Sequence, residues 1–385
     1  MEQSHALGAG WMRTNLAWGI VESKEGVFDW SVPDTMVQEA ERYSVKLLIT
    51  VVGSSGGHAQ LPQPPFATPG EVKNRAYERF LRELVRRYKG KVQHWQIENE
   101  ITASGQFFVG SIDDYVQVLR RAYRIVKEED SSAQVVLAGF PTGPVEWFLS
   151  GLGPMNTTWT KEQVANYRAI LSKARDAFDI LDLHLYITPE TMPQRIQFFR
   201  NEMRSLGYER PIWVTETGGP DTRYIDARGP DKSDLSFRNL PQDVQAAELI
   251  KRFTFALANG VEHIFWYPIA GTNPPTDVWH GMSLLRQQER TLAYTAYQTT
   301  AQRLRGFTSV AHVPMTTGVT AYRFTRPSGD VYVVWADQPR TISLPTATPA
   351  VKVVDIKGET KDGVATALAV GPQPVFVEAA SSGSR

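Results

Sequence analysis

Seven runs of apolar residues recur along the first two thirds of the chain, at 9–13, 46–52, 92–98, 134–139, 179–185, 212–215 and 261–266. Most are continuous rather than alternating, which predicts strands buried on both faces. Amphipathic stretches with helical spacing follow them, at 33–43, 70–88, 112–129, 161–177, 192–206, 242–259 and 289–305. Pro33 falls at the first position of the first stretch, where a missing N–H does no harm. A strand followed by a helix, repeated in this way, predicts a parallel sheet covered by helices. Polar and aromatic residues mark the points where strands hand over to loops: Arg13, Asn99, Glu100, His184, Tyr186, Glu216 and Trp266. A site drawn from nearly every strand is the habit of a TIM (β/α) barrel; a doubly wound open sheet would concentrate it at one switch point.

Beyond position 306 the pattern changes to short β-branched segments at 319–324, 331–335, 351–355 and 374–378, separated by turns at Ser328-Gly329-Asp330, Pro339 and Lys357-Gly358. These predict a small antiparallel β domain. The expected division is a catalytic barrel over 1–305 and a β-sandwich-like accessory domain over 306–385.

The composition narrows the chemistry. The 385 residues are 42% hydrophobic, enough for a large core, and 41 Lys and Arg balance 41 Asp and Glu. Such a balance gives no broad electrostatic case for nucleic acid or an anionic membrane, so the expected partner is neutral. The absence of cysteine excludes disulfides, thiol catalysis and thiolate-ligated metal. No apolar run approaches the roughly 20 residues of a membrane span. The first ten residues lack the charged and apolar regions of a signal peptide. The seven histidines show no metal-ligand spacing, and no metal or cofactor is expected.

Two strands end on carboxylates. The segment His94-Trp95-Gln96-Ile97-Glu98-Asn99-Glu100 stops on an amide and an acid, and Pro211-Ile212-Trp213-Val214-Thr215-Glu216-Thr217-Gly218-Gly219 stops on an acid before paired glycines. Two carboxylates on the ends of two parallel strands are the minimum equipment for hydrolysing a glycosidic bond. Each residue also has a plainer reading. Arg13 could make an ion pair with a loop, His184 could be a hydrogen-bonded core histidine, and Tyr186 and Trp266 could be packing residues. With the strand register shifted by one, Tyr267 rather than Trp266 would face the site. Trp18, Phe107, Phe108, Trp147, Trp159, Tyr224 and Trp279 fall on expected upper loops as candidate sugar platforms, and His58 lies in the glycine- and proline-rich loop 53–69.

In this order, Arg13, the Asn99-Glu100 pair, His184-x-Tyr186, Glu216 and Trp266 resemble the landmarks of clan A of the retaining glycoside hydrolases. Together with Gly10-Trp11-Met12-Arg13, Trp18, Phe28-Asp29-Trp30 and Pro374-Val375-Phe376-Val377-Glu378, they look most like glycoside hydrolase family 39 and its relatives. The resemblance covers nearly the whole chain. It implies a retaining hydrolase of β-linked glycosides, with Glu216 as nucleophile, Glu100 as acid/base, and Arg13, Asn99, His184, Tyr186 and Trp266 around a neutral oligo- or polysaccharide. The alternative is a non-catalytic carbohydrate-binding or scaffolding protein derived from such a barrel. One departure concerns the count: every landmark comes one strand early. Only seven units are found, and the sequence reads as starting inside the helix that should precede the second strand, which leaves localisation open. In addition, Gln96 and Glu98 stand where relatives often carry Glu and Trp, and Ile101 where a proline is common.

Overall fold

The computed structural model describes residues 1–53, 75–102, 108, 110–151, 157–219, 241–271 and 281–379. Strands β1 (Trp11–Ala17), β2 (Lys46–Val52), β3 (His94–Ile97) and β4 (Gln134–Val136) form one parallel sheet in that order. A second parallel sheet runs β5 (Phe140–Pro141), β6 (Leu181–His184), β7 (Ile212–Thr217) and β8 (Val261–Trp266). The two sheets are continuous. A bridge joins Val136 to Ile180, and the Leu137 N–H donates to the Ile180 carbonyl at 3.0 Å. The result is an α/β barrel wall with helices between successive strands, at Ser31–Arg42, Arg75–Arg87, Ile112–Glu129, Thr158–Lys173, Met192–Ser205, Gln242–Ala258 and Leu292–Leu304. Ser111 and Asp114 show how local sequence starts such a helix. The serine hydroxyl accepts from the Asp114 N–H while the Asp114 carboxylate accepts from the Ser111 N–H.

β1 is longer than the apolar run at 9–13 that foretold it. Arg13 therefore lies within the strand, opposite Leu48, and not at its end. Arg13 and Asn15 share one face of the strand, where Thr50, Gln96, Asn99 and Glu216 accept from Arg13, so the strand continues through residues that read as loop. Trp18, expected in a loop, opens the short helix Trp18–Val21 and is fully buried between Tyr77 and Phe80, its indole N–H donating to Glu22 at 2.7 Å.

The floor of the barrel is a cluster of rings. Trp11, His94, Trp213 and His263, all near the amino ends of their strands, meet with centroids 4.4–5.0 Å apart. Among the described residues no ladder joins β8 to β1. The seam between them exposes part of Trp11, Met12, His263, Ile264 and Phe265, whereas β7 is buried throughout. Cavities of about 400 and 320 Å³ lie along it. The helix Glu2–Ala6 sits beside the seam, held by Gln298, whose amide donates to the Ala6 carbonyl at 2.7 Å.

After the hairpin of β9 (Leu285–Arg286) and β10 (Glu289–Arg290) and the last helix, the chain becomes antiparallel. Its strands are β11 (Ser309–His312), β12 (Val319–Thr325), β13 (Val331–Ala336), β14 (Arg340–Ile342), β15 (Ala350–Val354), β16 (Thr360–Val364), β17 (Leu368–Val370) and β18 (Val375–Ala379). Six form a sheet in the order β11-β12-β13-β18-β15-β16, and β14 pairs with β17. Alternation along β13 splits its burial. Val331, Val333 and Trp335 join the barrel's core, with Trp335 edge-on to Phe255, while Tyr332 and Val334 belong to a second core.

Candidate active site

β3 ends in a sharp turn. Glu98 and Glu100 both have positive φ, 64° and 40°, a region that side chains adopt rarely and that clusters at functional sites. The Glu98 carboxylate accepts from the Gly53 N–H at 3.0 Å, at the end of the neighbouring strand. This turn brings Asn99 and Glu100 to partners on other strands. Asn99 accepts from Arg13 Nη2 at 2.7 Å, and Glu100 Oε1 lies 2.6 Å from His184 Nδ1.

Glu216, next to last in β7, is 8% exposed. One of its oxygens accepts from Arg13 Nη1 and the other from the Tyr186 hydroxyl at 2.7 Å, with His184 Nδ1 at 3.5 Å. Carboxylate oxygens of Glu100 and Glu216 and a ring nitrogen of His184 all lie within 4.8 Å of one another. A cation could be imagined there, but Glu216 already faces the guanidinium of Arg13 and the phenol of Tyr186. The site therefore presents donors where a metal would need lone pairs.

Beneath the carboxylates lies a buried polar layer. Arg13 Nε donates to Gln96 at 2.8 Å and to Thr50 at 3.0 Å, and Gln96 Nε2 donates to Asp182 at 2.6 Å. Asp182 also accepts from the Thr215 N–H at 2.9 Å and hydroxyl at 2.5 Å. Burial alone would push the Glu216 carboxyl up, but the charges of His184 and Arg13 and the bond from Tyr186 outweigh it and hold the carboxyl below its ordinary value. Asp182 is lowered likewise, against the penalty of burial, by the bond and charge of His184 and the charge of Arg13. His184 moves the other way. Burial disfavours its charge, yet Glu216, Asp182 and Glu100 raise it to about 10.

Two buried arginines hold the loop that carries Tyr186. Arg195 donates to the Tyr186 carbonyl at 2.8 Å and to the Thr188 carbonyl at 2.8 Å. Arg252 donates to the Leu185 carbonyl at 3.0 Å and to the Ile187 carbonyl. Ile187 has a φ of 64°, a conformation these bonds help to fix.

The structure thus brings Arg13, Asn99, Glu100, His184, Tyr186 and Glu216 together. His184 is fully buried, with both nitrogens directed at protein groups and Nδ1 at the carboxylates. Trp266 is 5% exposed and donates from its indole N–H to the Met282 carbonyl at 2.8 Å. It lines the 400 Å³ cavity beside Arg13, Asn15 and Tyr267; Tyr267 is the more exposed of the two, at 40%. Phe108 is buried against Tyr115, and Trp147 and Trp159 pair at 6.1 Å with Trp159 40% exposed. His58, Phe107, Tyr224 and Trp279 lie outside the described residues.

Sequence reading did not mark Thr50, Gln96, Asp182 or Thr215 as site residues. A signal was available: Asp182, His184 and Tyr186 alternate along one strand and its exit, a period of two that marks one polar face.

The fold is similar to that of solved glycoside hydrolases. No protein-family model matches the sequence. The chain is similar over 98% of its length to a family 39 glycoside hydrolase from the gut symbiont Bacteroides cellulosilyticus WH2, covering 77% of that chain with a TM-score of 0.71 and 20% identity. It is similar over its full length to a monomeric beta-xylosidase from Caulobacter crescentus CB15, covering 94% of that chain at a TM-score of 0.63 and 14% identity. A family 39 enzyme from Xanthomonas axonopodis pv. citri matches 98% of the chain and is itself 90% covered, with a TM-score of 0.62 and 13% identity. At these identities the likeness is one of fold.

Proposed function

We propose that the protein is a retaining glycoside hydrolase acting on β-linked, neutral oligo- or polysaccharides. The observation that carries this reading is the approach of Glu100 and Glu216, whose oxygens lie within 4.8 Å. Retaining enzymes hold their carboxyl groups roughly 5–5.5 Å apart, whereas inverting ones leave roughly 6.5–9.5 Å for a water. Glu216, kept ionised by Arg13, His184 and Tyr186, attacks the anomeric carbon. The glycosidic C–O bond breaks as Glu100 gives its proton to the leaving oxygen. Glu100, now a carboxylate, takes a proton from water; the water oxygen attacks the anomeric carbon and Glu216 leaves. Asn99, fixed by Arg13, is placed for the sugar 2-hydroxyl, and the Trp266 and Tyr267 pair for the reacting ring.

On the same reading, with β4 and β5 counted as two parts of one wall strand, the seam between β8 and β1 is the place of an eighth strand, supported by the part-exposed rungs on both edges and the cavities between them. The 306–385 segment is read as an accessory domain. The test of function is hydrolysis of aryl β-glycosides and β-linked oligosaccharides by wild type, Glu100→Ala and Glu216→Ala, with and without azide. Both variants should lose activity, azide yielding a β-glycosyl azide with Glu100→Ala and an α-azide with Glu216→Ala. A 2-fluoro glycosyl fluoride that binds without labelling Glu216 would contradict the mechanism.

A further inference from the structure

Asp182 is fully buried, two residues before His184, and takes no part in the reaction above. Its Oδ2 faces His184 Nε2 at 3.4 Å. The Thr215 hydroxyl lies 3.3 Å from the same nitrogen and already directs its own proton to Asp182. Both neighbours of Nε2 are therefore acceptors, and Nε2 carries a hydrogen. Among the described residues, the charged and polar groups that face the ring come from several elements. Asp182 comes from β6, Glu216 and Thr215 from β7, Glu100 from the turn after β3 and Tyr186 from the loop after β6. Arg13 of β1 reaches the same cluster through Glu216 and Gln96. On the remaining side Gly139 offers no side chain.

The consequence falls on Glu100. If Nδ1 also carries a hydrogen, it donates to Glu100 Oε1, and the acid proton of Glu100 must sit on Oε2. If Nδ1 is bare, it accepts from Glu100, and the acid proton lies on Oε1, turned into the wall. Taking Glu100 as the acid/base, as proposed above, we infer that Asp182 is a positioning residue: its buried carboxylate keeps His184 doubly protonated and so directs the acid proton of Glu100 to the oxygen that faces the substrate. Among the groups in contact with His184 or Glu216, Arg13 and His184 balance Glu216 and Asp182 when Glu100 is protonated. The raised proton affinity of His184, to about 10, agrees with it.

The experiment compares wild type with Asp182→Asn in two readouts. Ring ¹⁵N NMR of His184 should show both nitrogens protonated in wild type at pH 7–8 and a neutral ring in the variant. In hydrolysis, kcat/KM for glycosides with poor leaving groups should fall by about tenfold or more, and the basic limb of the pH profile should move toward acid by about one unit. Dinitrophenyl glycosides, which need little help from an acid, should change far less; a merely structural lesion would lower both alike. A neutral His184 in wild type, or an unmoved basic limb in a folded Asp182→Asn, overturns the inference. If Asp182→Asn does not fold, the wild-type spectrum still decides, with Thr215→Val, which keeps the charge, expected to retain the cation. Absence of all hydrolysis would defeat the glycosidase reading alone, because the nitrogen spectrum needs no turnover.

Discussion

The ring of His184 occupies the space that a side chain on Gly139 would need: a Cβ built there would lie 1.9 Å from Nε2. Gly139 sits where the wall passes from β4 to β5, so the break in that strand and the seating of the histidine are one feature. Gly139→Ala should therefore displace His184 while leaving both glutamates intact. We expect a loss of activity on the order of 10²-fold, the usual result of a misplacement near 1 Å, with a stability loss of about 1–3 kcal/mol. Hydrolysis rates and urea unfolding of the variant check both figures. Near-normal activity would mean that the ring does not matter.

Arg13 has 8% of its side chain exposed and joins four side chains from β2, β3, the turn after β3, and β7. Arg13→Met should cost about 3–5 kcal/mol by leaving the Glu216 carboxylate without its counterion. Arg13→Lys should keep more of the stability yet lose most of the activity, since an ammonium cannot reproduce the fork that sets Asn99 and Glu216. Equal activity in Arg13→Lys and wild type would show that charge alone suffices.

Stability should depend on pH in two windows that meet near 6.5. Burial, their mutual repulsion and Lys46 hold His94 at about 4, and burial with Lys46 holds His263 there too, below the ordinary 6.5. A lowered histidine contributes stability above 6.5 that is lost as the pH falls toward 4. His184, raised to about 10, contributes fully below 6.5, and its contribution is lost as the pH rises to 10. The carboxyls of Glu216 and Asp182 act only below their ordinary 4.5 and 3.8. Melting temperature followed across pH 4.5–10 should peak near 6.5. His263→Phe should flatten the acidic side and leave the basic side unchanged.

The seam gives a fourth expectation. An apolar extended segment added ahead of Met1 could pair with both β1 and β8 and cover Trp11, Ile264 and Phe265. Exposed edges of this kind are open to wrong pairing, so filling them should raise the melting temperature by several degrees and reduce aggregation. No gain from such extensions would count against an eighth strand.

Much of this molecule was legible in its residues. Buried parallel strands need continuous apolar runs and helices need their own period, so the order of elements follows from the chain. Polar and charged groups at strand ends call for partners, and Asn99, Glu100, Tyr186 and Glu216 pointed to a candidate site. Asp182 shared a period of two with His184 and Tyr186, but the lone polar residues Thr50, Gln96 and Thr215 carried no such announcement, because one hydroxyl or amide in a strand reads the same whether it faces a helix or the barrel's interior. Only closure of the wall sets that face, and with it the partners. The same holds for Arg13, whose place within β1 depends on polar groups from distant strands to receive it, and for Trp18, which packing draws out of an expected loop. Sequence periodicity is local and fixed the elements; the contact between Glu100, His184 and Glu216 is long-range and belongs to the tertiary structure alone.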